Sequence, residues 1–144
     1  MIRISGCNGY NKRFRGMTLI EILIAVVIIG IIAAIAYPSY TNHTITAHRT
    51  VALSDINRIQ LELETSYNGG YDWSSIISGG TCTICDSDSN RFSFSIASTS
   101  SAAYVIEATA KADLGQNGDN CFPSGVNKIT LTSTNIESPS ACWD

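Results

Sequence analysis

Residues 12–40 read KRFRGMTLIEILIAVVIIGIIAAIAYPSY, and this stretch decides the fold. The 21 residues 17–37 are almost entirely apolar; at a rise of 1.5 Å per residue they form a helix of about 31 Å, long enough to span a bilayer core. Four basic residues precede the span: Arg3, Lys12, Arg13 and Arg15. This asymmetry predicts that the chain before the span stays in the cytoplasm and that the rest crosses the membrane.

The only junction that resembles a processing site, Gly16-Met17, lies before the apolar run. A secretory signal peptide is instead cleaved after its apolar region. Cleavage after Gly16 would therefore leave the hydrophobic helix in the mature protein. Because glycine has no side chain, Gly16 lets the junction enter a peptidase active site in an extended form.

Glu21 is the one acid inside the span, and an unpaired acid there costs about 2.5 kcal/mol or more. No Lys or Arg lies between Gly16 and Arg49, so a basic side chain of the same helix cannot neutralise it. A cation on another molecule, such as an amino group freed at Met17, would serve. The alternative is an ordinary membrane anchor with one acid at the lipid interface.

Two further features concern how this helix packs and bends. Gly30 and Ala34 form a small-xxx-small pair, which permits close approach of another helix in lipid. Pro38 lacks an N–H and crowds the carbonyl of Ala34, so the helix is expected to bend or loosen near residues 34–38.

These residues together resemble the N-terminus of a type IV pilin precursor. The resemblance implies a leader, residues 1–16, that a prepilin peptidase removes after Gly16, and methylation of the new N-terminus at Met17. It implies a filament-core and membrane helix over residues 17–40 and a periplasmic head over residues 41–144. Glu21 would pair with the N-terminal amine of a neighbouring subunit, and the stretch from Gly30 to Pro38 would be the part that loses helical structure in the filament.

The same resemblance implies where the protein resides and what it meets. It would lie in the bacterial inner membrane as a single-pass protein and then move into the extracellular filament. Its partners would be other pilin subunits, bound through the N-terminal helix, together with the peptidase and a pilus assembly platform. Phenylalanine is the commoner first mature residue in this family, and Met17 departs from that pattern.

Charge is unevenly distributed along the chain. Four of the nine basic residues and none of the twelve acids precede Met17, so the chain from Met17 onward has five basic residues and a formal charge of −7. Such a head would repel nucleic acid, and no nucleic acid contact is predicted for it. About 106 residues beyond the span suffice for one small domain.

The head is predicted to be α+β, with the long helix packed on an antiparallel sheet. The helix continues to about Tyr67, where Asn68-Gly69-Gly70 ends it. A stripe of apolar residues recurs at helical spacing: Ile45, Ala52, Ile56, Ile59 and Leu63. The polar side holds Arg49, Asp55, Arg58, Glu62 and Glu64. Arg58 and Glu62 are four residues apart, a spacing that allows an ion pair on a helix. Strands are predicted at residues 91–96, 104–109 and 126–134, and an irregular loop at residues 69–90.

Cysteine usage fits an exported head. Cys7 lies in the leader, and an even four remain, which indicates two disulfides in an oxidising compartment. Three pairings are possible. We favour Cys121–Cys142, which would hold the last strand and tail on the sheet, together with Cys82–Cys85. A disulfide-bounded C-terminal region recurs in pilins, and the ending Ala141-Cys142-Trp143 looks most like the PilE-like minor pilins.

Other chemical readings of the head are weaker. The CxxC at Cys82–Cys85 lacks the βαβ context of a redox motif, and a zinc site would need reduced thiols. Asp86 and Asp88 begin a calcium-loop pattern, but Arg91 replaces its glycine and Ala97 its bidentate glutamate. No cofactor, metal or catalytic residue is predicted.

The sequence thus predicts a structural subunit of a type IV pilus, a minor pilin that takes part in pilus assembly. Two related alternatives remain: a major pilin, and a type II secretion pseudopilin, against which the four head cysteines argue. An alternative of another class is a membrane-tethered periplasmic redox or binding protein.

Overall fold

A computed structural model describes residues 16–79 and 81–143. Its main helix, α1, runs over Leu19–Thr65, and the chain divides into two compact units between Tyr37 and Pro38. In the first unit the apolar side chains of the helix are exposed, and the helix is long and apolar enough to cross a membrane. Apolar side chains in this number need lipid or other helices to cover them.

The second unit has a small core built on one face of α1. Ala52, Ile56, Ile59 and Leu63 are completely buried, as their helical spacing predicts. The core-facing stripe of the second half of the helix is therefore confirmed at these four positions, while Ile45 is only partly buried.

The core is completed by a four-stranded antiparallel sheet whose strands lie side by side in chain order. Strand β3 is Phe92–Ala97, β4 is Val105–Ala110, β5 is Lys128–Thr132 and β6 is Glu137–Ser138. Alternate residues of the strands point into the core, so Phe94, Ala108 and Ile129 lie side by side across β3, β4 and β5. The predicted α+β fold is confirmed, with strand ends shifted by one or two residues.

The segment between the helix and the sheet is more regular than predicted. Instead of an irregular loop throughout residues 69–90, it contains a hairpin of β1, Ile77–Ser78, and β2, Thr81–Cys82. Strands of two residues leave no alternating pattern to read, which also explains why β6 was missed. Tertiary contacts stabilise the hairpin, since Ile76 beside it is buried in the core.

The helix continues through Pro38. Residues 34–38 are helical, and Pro38 lies inside α1. The hydroxyl of Thr41 donates a hydrogen bond of 2.9 Å to the carbonyl of Pro38. The helix is therefore not interrupted here in the single chain; a bend near residues 34–38 and loss of helix within a filament stay predictions.

Candidate functional site

The first candidate site is the start of α1, where Thr18 and Glu21 form a reciprocal cap. The backbone N–H of Glu21 donates to Thr18 Oγ1 at 3.3 Å, and the N–H of Thr18 donates to Glu21 Oε2 at 3.5 Å. This is the capping-box arrangement, in which a Thr and a Glu three residues apart satisfy two free N–H groups of a helix start. The cap keeps the Glu21 carboxylate beside the backbone of Thr18, the residue that follows Met17.

Sequence reasoning missed this partner of Glu21 because it looked only for cations. The signal was present, since T-x-x-E before an apolar run is itself a capping-box pattern. The two hydrogen bonds come from neutral groups, so they lower the cost of holding the carboxylate in lipid without neutralising its charge. A cation therefore remains a suitable further partner.

The glycines of this unit have open surroundings. A Cβ placed on Gly16 or Gly30 would meet no atom within 4 Å. Packing within the chain therefore does not require a glycine at either position. Gly30 instead leaves a small flat spot on the exposed helix surface, beside Ala34, where a second helix can approach closely.

Two disulfides hold the head together. Cys121 bonds to Cys142 with an S–S distance of 2.04 Å, and Cys82 bonds to Cys85 at 1.98 Å. Cys142 is completely buried, so the first bond fastens the C-terminal end of the chain into the core. In residues 16–79 and 81–143, no group of three His, Cys, Asp or Glu side chains is placed to hold a metal ion.

The loop between β2 and β3 is attached to α1 by a buried carboxylate. Asp55 is 2% exposed; its Oδ1 accepts from the N–H of Asp86 at 3.0 Å, and its Oδ2 accepts from the N–H of Ser87 at 2.8 Å and from the Ser87 hydroxyl. Placing Asp55 on the solvated side of the helix was wrong. Because the loop supplies three donors, the carboxylate can be buried without a cation.

Two neighbouring expectations are also corrected here. Arg58 pairs with Asp86 at 2.9 Å and donates to the carbonyl of Ile84 at 2.8 Å, rather than pairing with Glu62. Asp88 Oδ1 accepts from the N–H of Asn90 at 2.9 Å, so this carboxylate caps a turn. The acidic side chains of the calcium-like pattern thus already have protein partners.

A second buried polar network joins α1 to the loop before β5. Arg49 Nη1 donates to Asp119 Oδ1 at 2.6 Å, and the side chains are 13% and 3% exposed. Gln116 is completely buried, and its Nε2 donates to the carbonyl of Ile45 at 3.0 Å. Gly115, at φ +72°, makes the left-handed turn that brings Gln116 to the helix. Sequence spacing gave no signal for contacts about 70 residues apart.

The far end of α1 carries a tyrosine cluster. The hydroxyl of Tyr104 donates to Glu64 Oε1 at 2.5 Å, and the hydroxyl of Tyr71 lies 3.2 Å from both Glu64 oxygens. The rings of Tyr71 and Tyr104 meet edge to face, 4.8 Å apart. Burial, followed by the hydrogen bond to Glu64, raises the pKa of Tyr104 to about 12, and the same two causes raise the pKa of Tyr71.

Most basic side chains of the head are already paired with acids. Arg49, Arg58 and Lys128 each form an ion pair, the last with Glu107 at 2.8 Å. Arg91 and Lys111 differ: within the described part of the chain, neither forms an ion pair. They are neighbours across the sheet, since the N–H of Lys111 donates to the carbonyl of Arg91 at 2.8 Å. Lys111 Nζ donates to the carbonyl of Ser89 at 2.7 Å.

Comparison with known proteins agrees with this anatomy. Residues 38–124 match the family described as "Type IV minor pilin ComP, DNA uptake sequence receptor", and residues 11–37 match the "Prokaryotic N-terminal methylation motif". The chain is 31% identical to a type IV major fimbrial protein FimA of Dichelobacter nodosus, over 90% of this chain and 86% of that protein. No solved structure matches it significantly.

Shorter matches include two further fimbrial proteins. A fimbrial protein of Pseudomonas aeruginosa is 39% identical over 49% of this chain and 44% of its own length. A probable minor fimbrial protein of Dichelobacter nodosus is 37% identical over 41% of this chain and 37% of its own. The chain belongs to the type IV pilin family and is a structural pilus subunit; the family is structural rather than catalytic.

Proposed function

We propose that the chain is a minor pilin that takes part in assembly of a type IV pilus. The observation that carries this is the match of residues 38–124, most of the head, to a minor pilin family. In this proposal the leader is removed after Gly16, Met17 is methylated, and the protein waits in the bacterial inner membrane with its head in the periplasm. Residues 17–40 then pass into the filament core, and the protein has no enzymatic activity.

The processing step has a direct test. A bulky side chain at Gly16 would prevent the extended junction from entering the peptidase, so Gly16→Phe should leave full-length precursor in the membrane. Gly30→Phe is the matched control for processing, because it adds the same side chain at a second glycine with open surroundings. Mass spectrometry identifies the N-terminal residue of each variant. A native protein that begins upstream of Met17 would show that processing does not occur at this junction.

The assembly role of Glu21 can be separated from its capping role by two substitutions. Glu21→Gln keeps an acceptor for the N–H of Thr18 but removes the charge, whereas Glu21→Ala removes both. If the charge meets the Met17 amine of a neighbour, both variants insert into the membrane and both enter filaments poorly. Immunoblots of sheared filaments and membranes compare them. Normal incorporation of Glu21→Gln into filaments would show that the charge of Glu21 is not needed for assembly and that the residue acts only as a helix cap.

The alternatives make different predictions for filament composition. A minor pilin should form a small fraction of the subunits in sheared pili by quantitative mass spectrometry, whereas a major pilin should form most of them. A pseudopilin should assemble with a type II secretion platform instead. For a periplasmic redox protein, Cys82 and Cys85 should exchange with substrate thiols, and the protein should be absent from filaments.

A second candidate function is contact with DNA, because the family matched by residues 38–124 is described as a DNA uptake sequence receptor. The net charge of the head opposes binding to phosphates. DNA contact is favoured at one place, the neighbouring pair Arg91 and Lys111, because the side chains of both residues donate their hydrogen bonds to neutral groups. Two adjacent cations that no acid neutralises are the part of the described head best suited to approach a phosphate.

Electrophoretic mobility shift of double-stranded DNA with the full chain in detergent tests this candidate. Lys111→Gln should weaken binding, and the binding should weaken as salt rises. Lys128→Gln removes the same charge from a lysine already paired with Glu107 and serves as the control. Equal effects of both variants would reject a DNA site at Lys111. No binding at low salt would reject any DNA contact and agree with the charge-based prediction.

A further inference from the structure

A small pocket of about 90 Å³ lies in the head between β2 and the start of β3. Strand β3 is the outer strand of the four-stranded sheet, so β4 pairs with one of its edges and the other edge is left without a strand. Thr81, Ser89, Ser93 and Lys111 line this pocket. All of the described residues that line it belong to the second compact unit.

The side chains around the pocket offer several hydrogen-bond donors. Lys111 Nζ donates to the carbonyl of Ser89 at 2.7 Å, which holds the ammonium beside the pocket. An ammonium has three N–H donors, so this bond leaves two of them for a ligand. The hydroxyls of Thr81, Ser89 and Ser93 form no hydrogen bond within the part of the chain that the structure describes. A group with several acceptor atoms would therefore find donors on more than one side.

The outer edge of β3 adds backbone groups. Arg91 and Lys111 lie opposite each other and are joined by a backbone hydrogen bond, so alternate residues of β3 bond to β4 and those between them face outward. Phe92 and Phe94 are among the outward-facing residues, and both line the pocket. The N–H of Phe92 donates to the carbonyl of Asp88 at 3.0 Å. Within the described residues, the N–H of Phe94 and the carbonyls of both phenylalanines have no partner. Since Phe94 is only 6% exposed, a group from outside the chain is expected to satisfy them.

The charges at the pocket favour an anion. Of the described residues that line it, Lys111 alone is charged. The two acids that are near it in the chain already have protein partners: Asp86 pairs with Arg58 at 2.9 Å, and Asp88 accepts from the N–H of Asn90 at 2.9 Å. The donors outnumber the two backbone carbonyls, so the ligand has to be mainly an acceptor that also has a hydrogen to donate.

We propose that this pocket binds inorganic phosphate in its monohydrogen form. Its anionic oxygens accept from the Lys111 ammonium, the hydroxyls and the N–H of Phe94, and its P–O–H group donates to a carbonyl at the edge of β3. Sulfate has the same shape and charge but no hydrogen to donate at neutral pH. A peptide strand would also satisfy the edge, but β2 lies beside β3 and the pocket is too small for a strand.

The inference goes beyond the pilus role and does not depend on it. It also differs from DNA contact at Lys111, because a phosphodiester has a single negative charge and no P–O–H group. A chain that binds phosphate and not DNA, or DNA and not phosphate, would separate the two ideas.

Isothermal titration calorimetry of the full chain in maltoside micelles, at constant ionic strength, tests the proposal. Inorganic phosphate should bind at one site per chain and about tenfold more tightly than sulfate, which is the effect of one hydrogen bond on affinity. Dimethyl phosphate represents the diester and should bind more weakly than inorganic phosphate.

Two pairs of variants show whether binding occurs in this pocket. Lys111→Gln should weaken phosphate binding at least tenfold, whereas Lys128→Gln removes the same charge from a lysine paired with Glu107 and should change little. Ser93→Val should weaken binding by filling the pocket, and valine is well suited to a half-buried strand position, so the fold should survive. Ser95→Val makes the same substitution two residues further along the same face of β3, outside the pocket, and should leave binding unchanged.

No measurable binding of phosphate would overturn the inference, and so would equal affinities for phosphate and sulfate. Phosphate binding that survives both Lys111→Gln and Ser93→Val would place the ion elsewhere and overturn it as well. If Ser95→Val weakened binding as much as Ser93→Val, the effect would come from the strand as a whole, and the pocket would be rejected.

Discussion

Replacement of Asp55 by asparagine should destabilise the head far more than the loss of one surface charge. The side chain keeps its shape, and its carbonyl oxygen still accepts from the N–H of Asp86. The new amide NH₂ group, however, faces the N–H of Ser87, which now donates to Oδ2 at 2.8 Å. Two donors then face each other at a site where Asp55 is 2% exposed and water cannot substitute.

The size of this effect follows from the number of bonds affected. Hydrogen bonds to charged groups contribute about 1.5–3 kcal/mol each. Asp55→Asn loses the backbone bond from Ser87 and weakens the one from Asp86, so the free energy of unfolding should fall by about 3 kcal/mol. A domain of this size has a total stability of about 5–15 kcal/mol. The unfolding temperature should therefore fall by about 10–20 °C.

Tryptophan fluorescence of the full chain in detergent micelles follows the head alone, because Trp73 and Trp143 both lie beyond the apolar span. Asp86→Asn is the matched control: it makes the same substitution in the loop that Asp55 contacts, but the Asp86 side chain is 76% exposed and pairs with Arg58 at the surface. Exposed pairs contribute at most about 1 kcal/mol. If Asp55→Asn unfolds within 2 °C of this control, the buried carboxylate does not fasten the loop to the helix.

Two further predictions concern the rest of the head. Because the pKa of Tyr104 is raised to about 12 and that of an unfolded tyrosine is about 10, its stabilising contribution is complete below pH 10 and is lost as the pH rises toward 12. Tyr104→Phe should flatten the stability curve in that window; an unchanged slope would assign the loss to other groups. In the chain-entropy description, replacing Cys121 and Cys142 together by serine should cost about 3 kcal/mol, and replacing Cys82 and Cys85 about 2 kcal/mol, because their sequence separations are 21 and 3. Urea titration compares the two double variants, and a larger loss from the second would contradict that account.

The sequence pattern was sufficient to predict features that depend on a single helix or strand. The apolar run from Ile22 to Tyr37 specifies a helix, and the spacing of Ala52, Ile56, Ile59 and Leu63 specifies which face of its continuation is buried. Phe92, Phe94 and Ile96 alternate with serines, which specifies a half-buried strand. These features depend only on helical or strand periodicity, which the order of residues contains directly.

Asp55 shows where residue type misled the prediction. It lies three residues after Ala52 and four before Ile59, so helical spacing places it on the buried face. The prediction instead places it on the polar side, with the other charged residues of the helix. The cost of its burial is offset by donors from Asp86 and Ser87, which are about thirty residues away in the sequence and follow no periodic pattern.

The sequence alone determined the long helix, the apolar character of its first half and the buried face of its second half, since each is a local property of the chain. Tertiary structure alone decided which polar groups are buried, including the ion pair of Arg49 and Asp119. The reason is physical: the free energy of a buried charge depends on the donors around it, and in this head those donors come from loops distant in sequence.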